Sequence, residues 1–410
     1  MIAPTSTPRP ASAAEVLALL RERVRPLPGE RVPLMEAAGR ILRESVCAPE
    51  DQPPFDRSSM DGYAVRLDDP SMQFQIVDEI RAGDWKPRTL QPGDAVRIAT
   101  GGGLPGDGLQ VIMREDVEVR SGTLVVLRRD RELNIRARGE DASLGAVLVK
   151  EGSMLSPGTL ALLASVGCTQ PLVNRLPTVL HVATGNEIVA PDQKPKHGQI
   201  RDSNSTLVRA FLGQWSIEPE QLRVGEDEAA IQAILSNSLS PATRNELLLI
   251  SGGASVGEHD FTLRVLQQTG FTIHVSKTTA RPGKPLILAQ RDNTIAFGLP
   301  GNPLSHFACL HLYVRAALEA FAGKSDGPAS TFQTAVLEDD LLADGNARET
   351  FWPARWELQD GVASLTPLRW SSSGDLTSLA TANALIRVSA GAPKLDRGAR
   401  VEFIPTERIA

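Results

Sequence analysis

The residues best suited to chemistry stand in two glycine-containing turns, each directly after an apolar run. Leu247–Ile250 leads into Ser251, Gly252, Gly253, Ala254, Ser255, Val256 and Gly257, with Asp260 shortly beyond. Glycine lets the backbone come close to a ligand, and unpaired amides at a helix start suit a phosphate. Thr184, Gly185, Asn186 and Glu187 occupy the equivalent place after Val179–Ala183. A glycine turn alone is a weak motif, and a tight turn without a ligand explains it about as well. Two such turns at the carboxyl edge of one sheet favour a shared pocket. Glu187 and Asp260 would then offer carboxylate oxygens to Mg²⁺. Asp202, Ser203 and Asn204 precede the next helix, where they can cap it or meet the amide edge of a heterocycle; for Ser203 and Asn204 capping is the simpler use.

A second chemistry is written in Arg281–Pro282–Gly283–Lys284–Pro285. Two cations around a stiff turn suit a small tetrahedral oxyanion, although most Arg and Lys side chains are simply solvated. Leu299–Pro300–Gly301–Asn302–Pro303 shapes a further loop at a helix start, with Asn302 placed to cap and Pro303 at the first helical position. Acidic turns occur at Pro54–Ala64, which includes Asp61, and at Gly139–Asp141. Composition alone does not separate catalytic from solvated acids there. No Ser-His-Asp order, Walker lysine loop or paired-cysteine site competes with these readings.

The elements that must position these residues follow from periodicity. Helices are expected at Ala14–Arg23, Leu34–Leu42 and Leu160–Val166. Between Asp51 and about Glu140, short alternating runs (Phe74–Val77, Ala95–Ile98, Leu109–Met113, Leu124–Leu127) broken by Gly and Pro predict a small β-rich domain. After a boundary at Arg175–Pro177, strands at Val179–Ala183, Glu246–Ile250, Phe271–Val275 and Thr294–Phe297 alternate with helices at Ser205–Leu212, Ala229–Leu235 and Phe261–Gln267. That alternation predicts an open, doubly wound, mostly parallel α/β sheet. A long helix is expected over Pro303–Phe321, then a linker, then short runs at Phe332–Leu337, Ala384–Val388 and Val401–Phe403 that suggest a C-terminal β-barrel or sandwich.

Bulk properties bound the rest. A chain of 410 residues with 41% hydrophobic and 22% charged residues fits a multidomain globular protein. The net charge of −6 disfavours nucleic acid as a partner, so an anionic substrate needs a local basic patch. Cys47, Cys168 and Cys309 are scattered, which suggests reduced thiols in a cytoplasm. No apolar stretch approaches the ~20 residues that span a bilayer.

Taken in order along the chain, these motifs resemble the molybdopterin molybdenumtransferases, the MoeA-type enzymes related to the C-terminal part of gephyrin. The resemblance is carried by Phe55–Ala64, Arg97–Gly101, Arg138–Asp141, Thr184–Glu187, Gly198–Asn204, Ser251–Asp260, Pro282–Pro285 and Gly298–Pro303. It implies a multidomain homodimer: a helical domain assembled from 14–50 and 142–176, a β-rich domain inserted at 51–141, an α/β molybdopterin-binding domain at 177–323, and a C-terminal β-barrel at 331–410. It implies insertion of molybdate into adenylylated molybdopterin with Mg²⁺ and release of AMP. By position, Thr184, Gly185, Asp202, Ser203, Asn204, Ser251, Gly252, Gly253, Ser255, Gly257, Pro300 and Pro303 would line the nucleotide site. Glu187 and Asp260 would serve the metal. Arg281, Lys284, Arg355, Ser372 and Ser373 would hold molybdate, and Asp61, Thr100 and Asp141 would face the pocket from the partner subunit. Other cofactor-assembly or acceptor proteins would be further partners.

The sequence departs from the family pattern at Arg57, where Asn is common, Asn186, where Asp is common, and Arg281, where Lys is common. Gly102–Gln110 is also less regular than usual. The departures at Arg57 and Asn186 keep a non-catalytic molybdopterin carrier or scaffold in view. A third reading, an adenylyltransferase, rests on the resemblance of the α/β domain to the enzymes of the preceding step and ranks below both, because those enzymes generally lack the surrounding β domains.

Overall fold

A computed structural model describes residues 9–129, 131–240, 245–252, 256–324, 332–359 and 361–407, with side chains of 256–260 and 359 left out. The chain divides into two compact units. One comprises 1–43, 154–156 and 172–410; the other comprises 44–153 and 157–171.

The first unit is built on a six-stranded sheet with the order Glu220–Val224, Val179–Thr184, Leu247–Ser251, Thr294–Leu299, Ile287–Arg291, Thr272–Val275. The first four strands run parallel, and Ile287–Arg291 pairs antiparallel with both of its neighbours. Side chains of a strand alternate between faces, and Leu247–Ile250 is apolar on both. Leu247 and Leu249 join one core with the helices Ala13–Arg23, Asn204–Gly213 and Pro303–Cys309. Leu248 and Ile250 join another with Glu228–Ser238 and Val256–Gln268. Helices therefore cover both faces, as the alternation of strands and helices predicts.

The helix Ala13–Arg23 begins with a capping box: Glu15 N donates to Ser12 Oγ at 3.2 Å, and Ser12 N donates to Glu15 Oε2 at 2.7 Å. The helix expected over Leu34–Leu42 is instead a single 3₁₀ turn at Leu34–Glu36. Gly39 at φ 69° turns the chain away, and the buried Ile41 and Leu42 beyond it form β-bridges with Met154 and Val173 while Met35 is 88% exposed, so the apolar residues do not share one helical face. The expected long helix after Asn302 is continuous but changes winding, with π-type turns over Leu310–Val314 between α segments Pro303–Cys309 and Arg315–Phe321.

Two strands of this six-stranded sheet were not expected from the sequence, Glu220–Val224 and Ile287–Arg291. The first is an edge strand of mixed polarity, and the second is a short buried run without the periodicity that marks a strand. The unit ends in a closed five-stranded barrel of Gln333–Leu337, Val362–Pro367, Thr350–Gln359, Ala384–Val388 and Arg400–Pro405. Its interior holds Leu337, Ala354, Leu365, Ile386 and Phe403.

The second unit has its own six-stranded sheet, ordered Leu109–Met113, Gly62–Arg66, Asp94–Ile98, Gln73–Ile80, Thr123–Val126, Val117–Arg120. Ala64, Val96 and Ile98 fill one face, and Tyr63, Val65 and Ala95 the other. Gly62 has no alternative: a Cβ there would sit 2.1 Å from Ile112 O on the neighbouring strand. The same unit contains the helix Pro157–Ser165. Among the described residues no helix is long and apolar enough to cross a membrane.

Candidate functional site

In the first unit the chain leaves Val179–Thr184 for the outer strand Glu220–Val224, then returns to Leu247–Ser251 on the other side. Such a reversal opens a crevice at the carboxyl ends of the two central strands. Thr184 and Ser251 stand at those ends, and Thr184 Oγ1 donates to Ser251 O at 3.0 Å. A Cβ on Gly252 would lie 2.8 Å from Thr184 Oγ1, so glycine is what lets the two turns approach. Gly185 has φ 144°, and the Glu187 carboxylate lies so close over it that an added Cβ would come within 2.6 Å of Oε2. Asn186 Oδ1 accepts from Glu226 N at 3.1 Å and ties this loop to the one after Glu220–Val224. An Asp would accept that bond equally well, so the hydrogen bond does not explain the Asn.

Asp202 is buried and uses both oxygens internally. Oδ1 accepts from Ser205 N at 2.9 Å; Oδ2 accepts from Ser205 Oγ at 2.6 Å and from Arg223 Nη2 at 3.0 Å. Burial pushes its carboxyl up, but the Ser205 bonds and the Arg223 guanidinium outweigh this and hold it below the ordinary carboxylate range. It is thus the residue that caps Asn204–Gly213 by side chain, whereas Ser203 makes no capping bond. Asn204 Nδ2 donates to Gly301 O at 2.7 Å, and His306 Nδ1 lies 3.0 Å from Pro300 O, so Pro300 and Gly301 are held beside the same edge. Behind it, His181 Nε2 lies 2.7 Å from Ser251 Oγ, and burial pushes the imidazole down to about 3, so it is neutral at physiological pH.

Arg281 and Lys284 line a cavity of about 490 Å³ together with Pro300, Asn302, Ser305, Asp344, Arg348, Trp352, Trp370 and Ser371–Ser373. The loop that carries the two cations is fixed from behind. Thr278 N donates to Lys284 O at 2.9 Å, and Thr278 Oγ1 donates to Gly283 O at 3.0 Å. Arg281 N donates to Glu349 O at 2.8 Å, and Phe351 N donates to Arg281 O at 2.6 Å, which stitches the loop to the barrel. Asp375, which is outside the lining, accepts from Ser371 N of the opposite wall and from Thr377 Oγ1 and Thr377 N. Hydrogen bonds from Thr377, Ser371 and Ser378 pull its carboxyl down to about 2. That anchoring holds the serine turn rigid. Three cations face one carboxylate, so the cavity carries a net positive charge within a chain of net charge −6.

Not every residue picked from the sequence falls where it was expected. Arg355 lies outside the lining of this cavity, and its guanidinium pairs with Glu357 on its own strand. Arg348 takes the place in the wall. Asn302 makes no side-chain cap; its Nδ2 donates to Ser373 Oγ at 2.8 Å and joins the helix start to the serine turn. Gly253 and Ser255 lie outside the described residues, as do the side chains of the segment holding Gly257 and Asp260, whose backbone is in the helix Val256–Gln268. Sequence reasoning also missed Asp344, Trp352 and Trp370. The one local signal was the Asp344–Gly345–Asn346 turn, which says nothing about its distant neighbours.

In the second unit, Asp61 Oδ1 accepts from Thr100 N at 2.7 Å and Thr100 Oγ1 at 2.9 Å. These bonds hold its carboxyl below the ordinary range. Asp141 is paired with Arg136. Among the described residues no group of three or more His, Cys, Asp or Glu converges as a metal cage. A single carboxylate such as Glu187 suits an ion like Mg²⁺, which takes its other ligands from water and substrate phosphates.

Fold and site together define a class: a multidomain protein whose α/β sheet opens a crevice at its carboxyl edge and whose barrel closes a cation-lined cavity of about 490 Å³. Comparison narrows it. Residues 11–167 match the model of the MoeA N-terminal region (domain I and II), residues 181–320 a probable molybdopterin binding domain, and residues 334–406 the MoeA C-terminal region (domain IV). A molybdopterin molybdenumtransferase of a Nostoc species is 33% identical over 382 residues, covering 90% of this chain and 87% of the relative. One from Staphylococcus epidermidis is 30% identical over 387 residues, covering 91% and 90%. The crystal structure of the molybdopterin biosynthesis MoeA protein of Pyrococcus horikosii superposes with a TM-score of 0.80 at 28% identity, covering 98% of this chain and 100% of that one. The chain belongs to the molybdopterin molybdenumtransferase (MoeA) family.

Proposed function

We propose that this chain is the transferase of molybdenum cofactor biosynthesis that inserts molybdate into adenylylated molybdopterin and releases AMP. The observation that carries this reading is the cavity where Arg281, Lys284 and Arg348 meet the serine turn Ser371–Ser373. Molybdate is a tetrahedral dianion, and fixed guanidinium, ammonium and hydroxyl donors replace its hydration without having to reorganise. The crevice formed by Thr184–Glu187 and Ser251–Gly252 would take the pterin nucleotide, with Pro300 common to the loop beside it and to the cation-lined wall. Glu187, with Asp260, would hold Mg²⁺, which supplies charge neutralisation at the phosphoanhydride when bound.

Asp202 enters this scheme as a support. Its charge fixes the start of Asn204–Gly213 and the Arg223 guanidinium, and so the shape of the crevice. In a homodimer, Asp61, Thr100 and Asp141 of the second copy would complete the site; light scattering of the purified chain tests that arrangement. The free, well-separated cysteines fit a reducing compartment, the cytoplasm.

The reading is tested by supplying adenylylated molybdopterin, molybdate and Mg²⁺ and following AMP. Turnover that depends on molybdate supports it. Tight pterin binding without AMP release, even in a single turnover, would leave a carrier.

A further inference from the structure

The oxyanion cavity already contains an anion of its own. Arg281 Nη1 donates to Asp344 Oδ2 at 2.6 Å and to Oδ1 at 2.8 Å. The guanidinium is held from another side by the Trp370 ring, whose centroid lies 5.2 Å from Cζ. Trp370 is in turn packed edge-on against Trp352, whose Nε1 donates to Leu368 O at 2.8 Å. Arg281 is therefore the fixed partner: its backbone is tied to Glu349 and Phe351, and its side chain is 24% exposed. Asp344 is the more exposed partner. Its side chain is 53% exposed, it precedes Gly345 at φ 61°, and Arg281 is its one ion pair among the described residues, beside a backbone hydrogen bond from Asn346.

We propose that Asp344 is a built-in competitor of the oxyanion, occupying Arg281 in the resting site and released from it when molybdate binds. The proposal rests on the reading of this cavity as the molybdate site. The Arg281–Asp344 pair and an Arg281–anion contact use the same guanidinium, so binding selects molecules in which the pair is open. Apparent affinity is lowered by the fraction of molecules in which Arg281 is free. For a solvent-accessible pair that fraction corresponds to a roughly two- to sixfold penalty. Because the penalty belongs to the free protein, it is the same factor for every anion that needs Arg281. It also gives Arg281 an acceptor to return to when the anion leaves, which favours exchange over retention.

Calorimetric titration of the full chain with sodium molybdate alone, in low-chloride buffer, decides the matter. Wild type, Asp344→Asn, Asp344→Ala, Arg281→Ala and the Arg281→Ala/Asp344→Ala double variant are compared, with tungstate and sulfate as further probes. Asp344→Ala is expected to bind each anion about two- to sixfold more tightly by a common factor, with Asp344→Asn between it and wild type. Raising NaCl to about 0.5 M should close the gap by screening the pair. In the Arg281→Ala background the gain should largely vanish.

Equal or weaker binding by Asp344→Ala, with binding still lost in Arg281→Ala, overturns the competitor and leaves the oxyanion site standing. A gain of the same size without Arg281 would mean that only bulk charge is at work, and factors that differ between anions would mean that Asp344 touches the bound ion; either result sinks the proposal. If wild type takes up no molybdate, or Arg281→Ala binds as wild type does, the reading of the cavity itself fails.

Discussion

Replacing Asp202 by Asn probes a buried polar junction in the first unit. The side chain keeps its shape, and Oδ1 still accepts from Ser205 N, 2.9 Å away in the wild type. The other position becomes an amide NH₂ facing two donors: Ser205 Oγ at 2.6 Å and the Arg223 guanidinium, whose Nη2 and Nε lie at 3.0 and 3.2 Å. Ser205 can rotate its hydroxyl, but Arg223 cannot turn from donor to acceptor. Losing a charged hydrogen bond costs about 1.5–3 kcal/mol. Because Arg223 is about one-third exposed, water recovers part of its share, which sets the expected loss at about 2 kcal/mol.

Thermal unfolding followed by circular dichroism should then show the α/β transition lowered by roughly 4–8 °C at pH 7. The sign with pH follows from linkage. The folded carboxyl lies below its ordinary value, so its contribution is complete above about pH 4 and is lost as pH falls through the folded value. Wild type and Asp202→Asn should therefore converge in acid. A difference at pH 7 below about 0.5 kcal/mol, or one that persists unchanged at pH 3, would refute this account of the junction.

Other consequences follow from the same geometry. Lys284→Ala and Arg348→Ala should each raise the molybdate concentration for half-maximal AMP release by roughly tenfold or more, in line with loss of a charge-assisted contact, while Arg355→Ala should leave it within about twofold. Glu187→Gln should abolish the Mg²⁺ dependence of AMP release yet bind molybdate alone as wild type does; an unchanged Mg²⁺ titration would remove Glu187 from the metal site. Gly62→Ala should destabilise the second unit by about 3 kcal/mol or more, read from proteolysis within 44–153, because the intruding Cβ meets backbone and not a movable side chain. His311 is wedged against Phe211 and Phe307, and burial holds it near 3, so stability should fall as pH drops from about 6.5 toward that value. His311→Phe should flatten that slope by about 1.4 kcal/mol per pH unit, measured as urea midpoints between pH 7 and 5.

Local patterning was enough to mark the central parallel strands of the α/β unit and the helices that cover them, though not the strands Glu220–Val224 and Ile287–Arg291. Leu247–Ile250 reads as a buried strand because a parallel strand covered on both faces has no polar side, and Ser251–Gly252 marks its carboxyl end. Thr184–Glu187 is legible as a strand-end turn for the same reason, and Arg281–Lys284 as a proline-stiffened basic turn, whose residue types alone do not separate an anion site from a solvated loop. The terminal barrel showed through its alternating runs, although the long strand Thr350–Gln359 did not, since Pro353 sits within it. These are properties of neighbours in the chain, and a single sequence displays them.

Which distant side chains share the cation-lined cavity was a tertiary decision. Arg348 and Arg355 are chemically identical and close in sequence. Only the barrel's pairing separates them, placing one in the cavity wall beside Trp352 and Trp370 and pairing the other with Glu357. Asp202 looked like a ligand group and is consumed by Ser205 and Arg223; Asn302 looked like a cap and instead reaches Ser373. Each polar group bonds to whichever partner folding brings within about 3 Å, and no residue type or spacing along the chain records that distance.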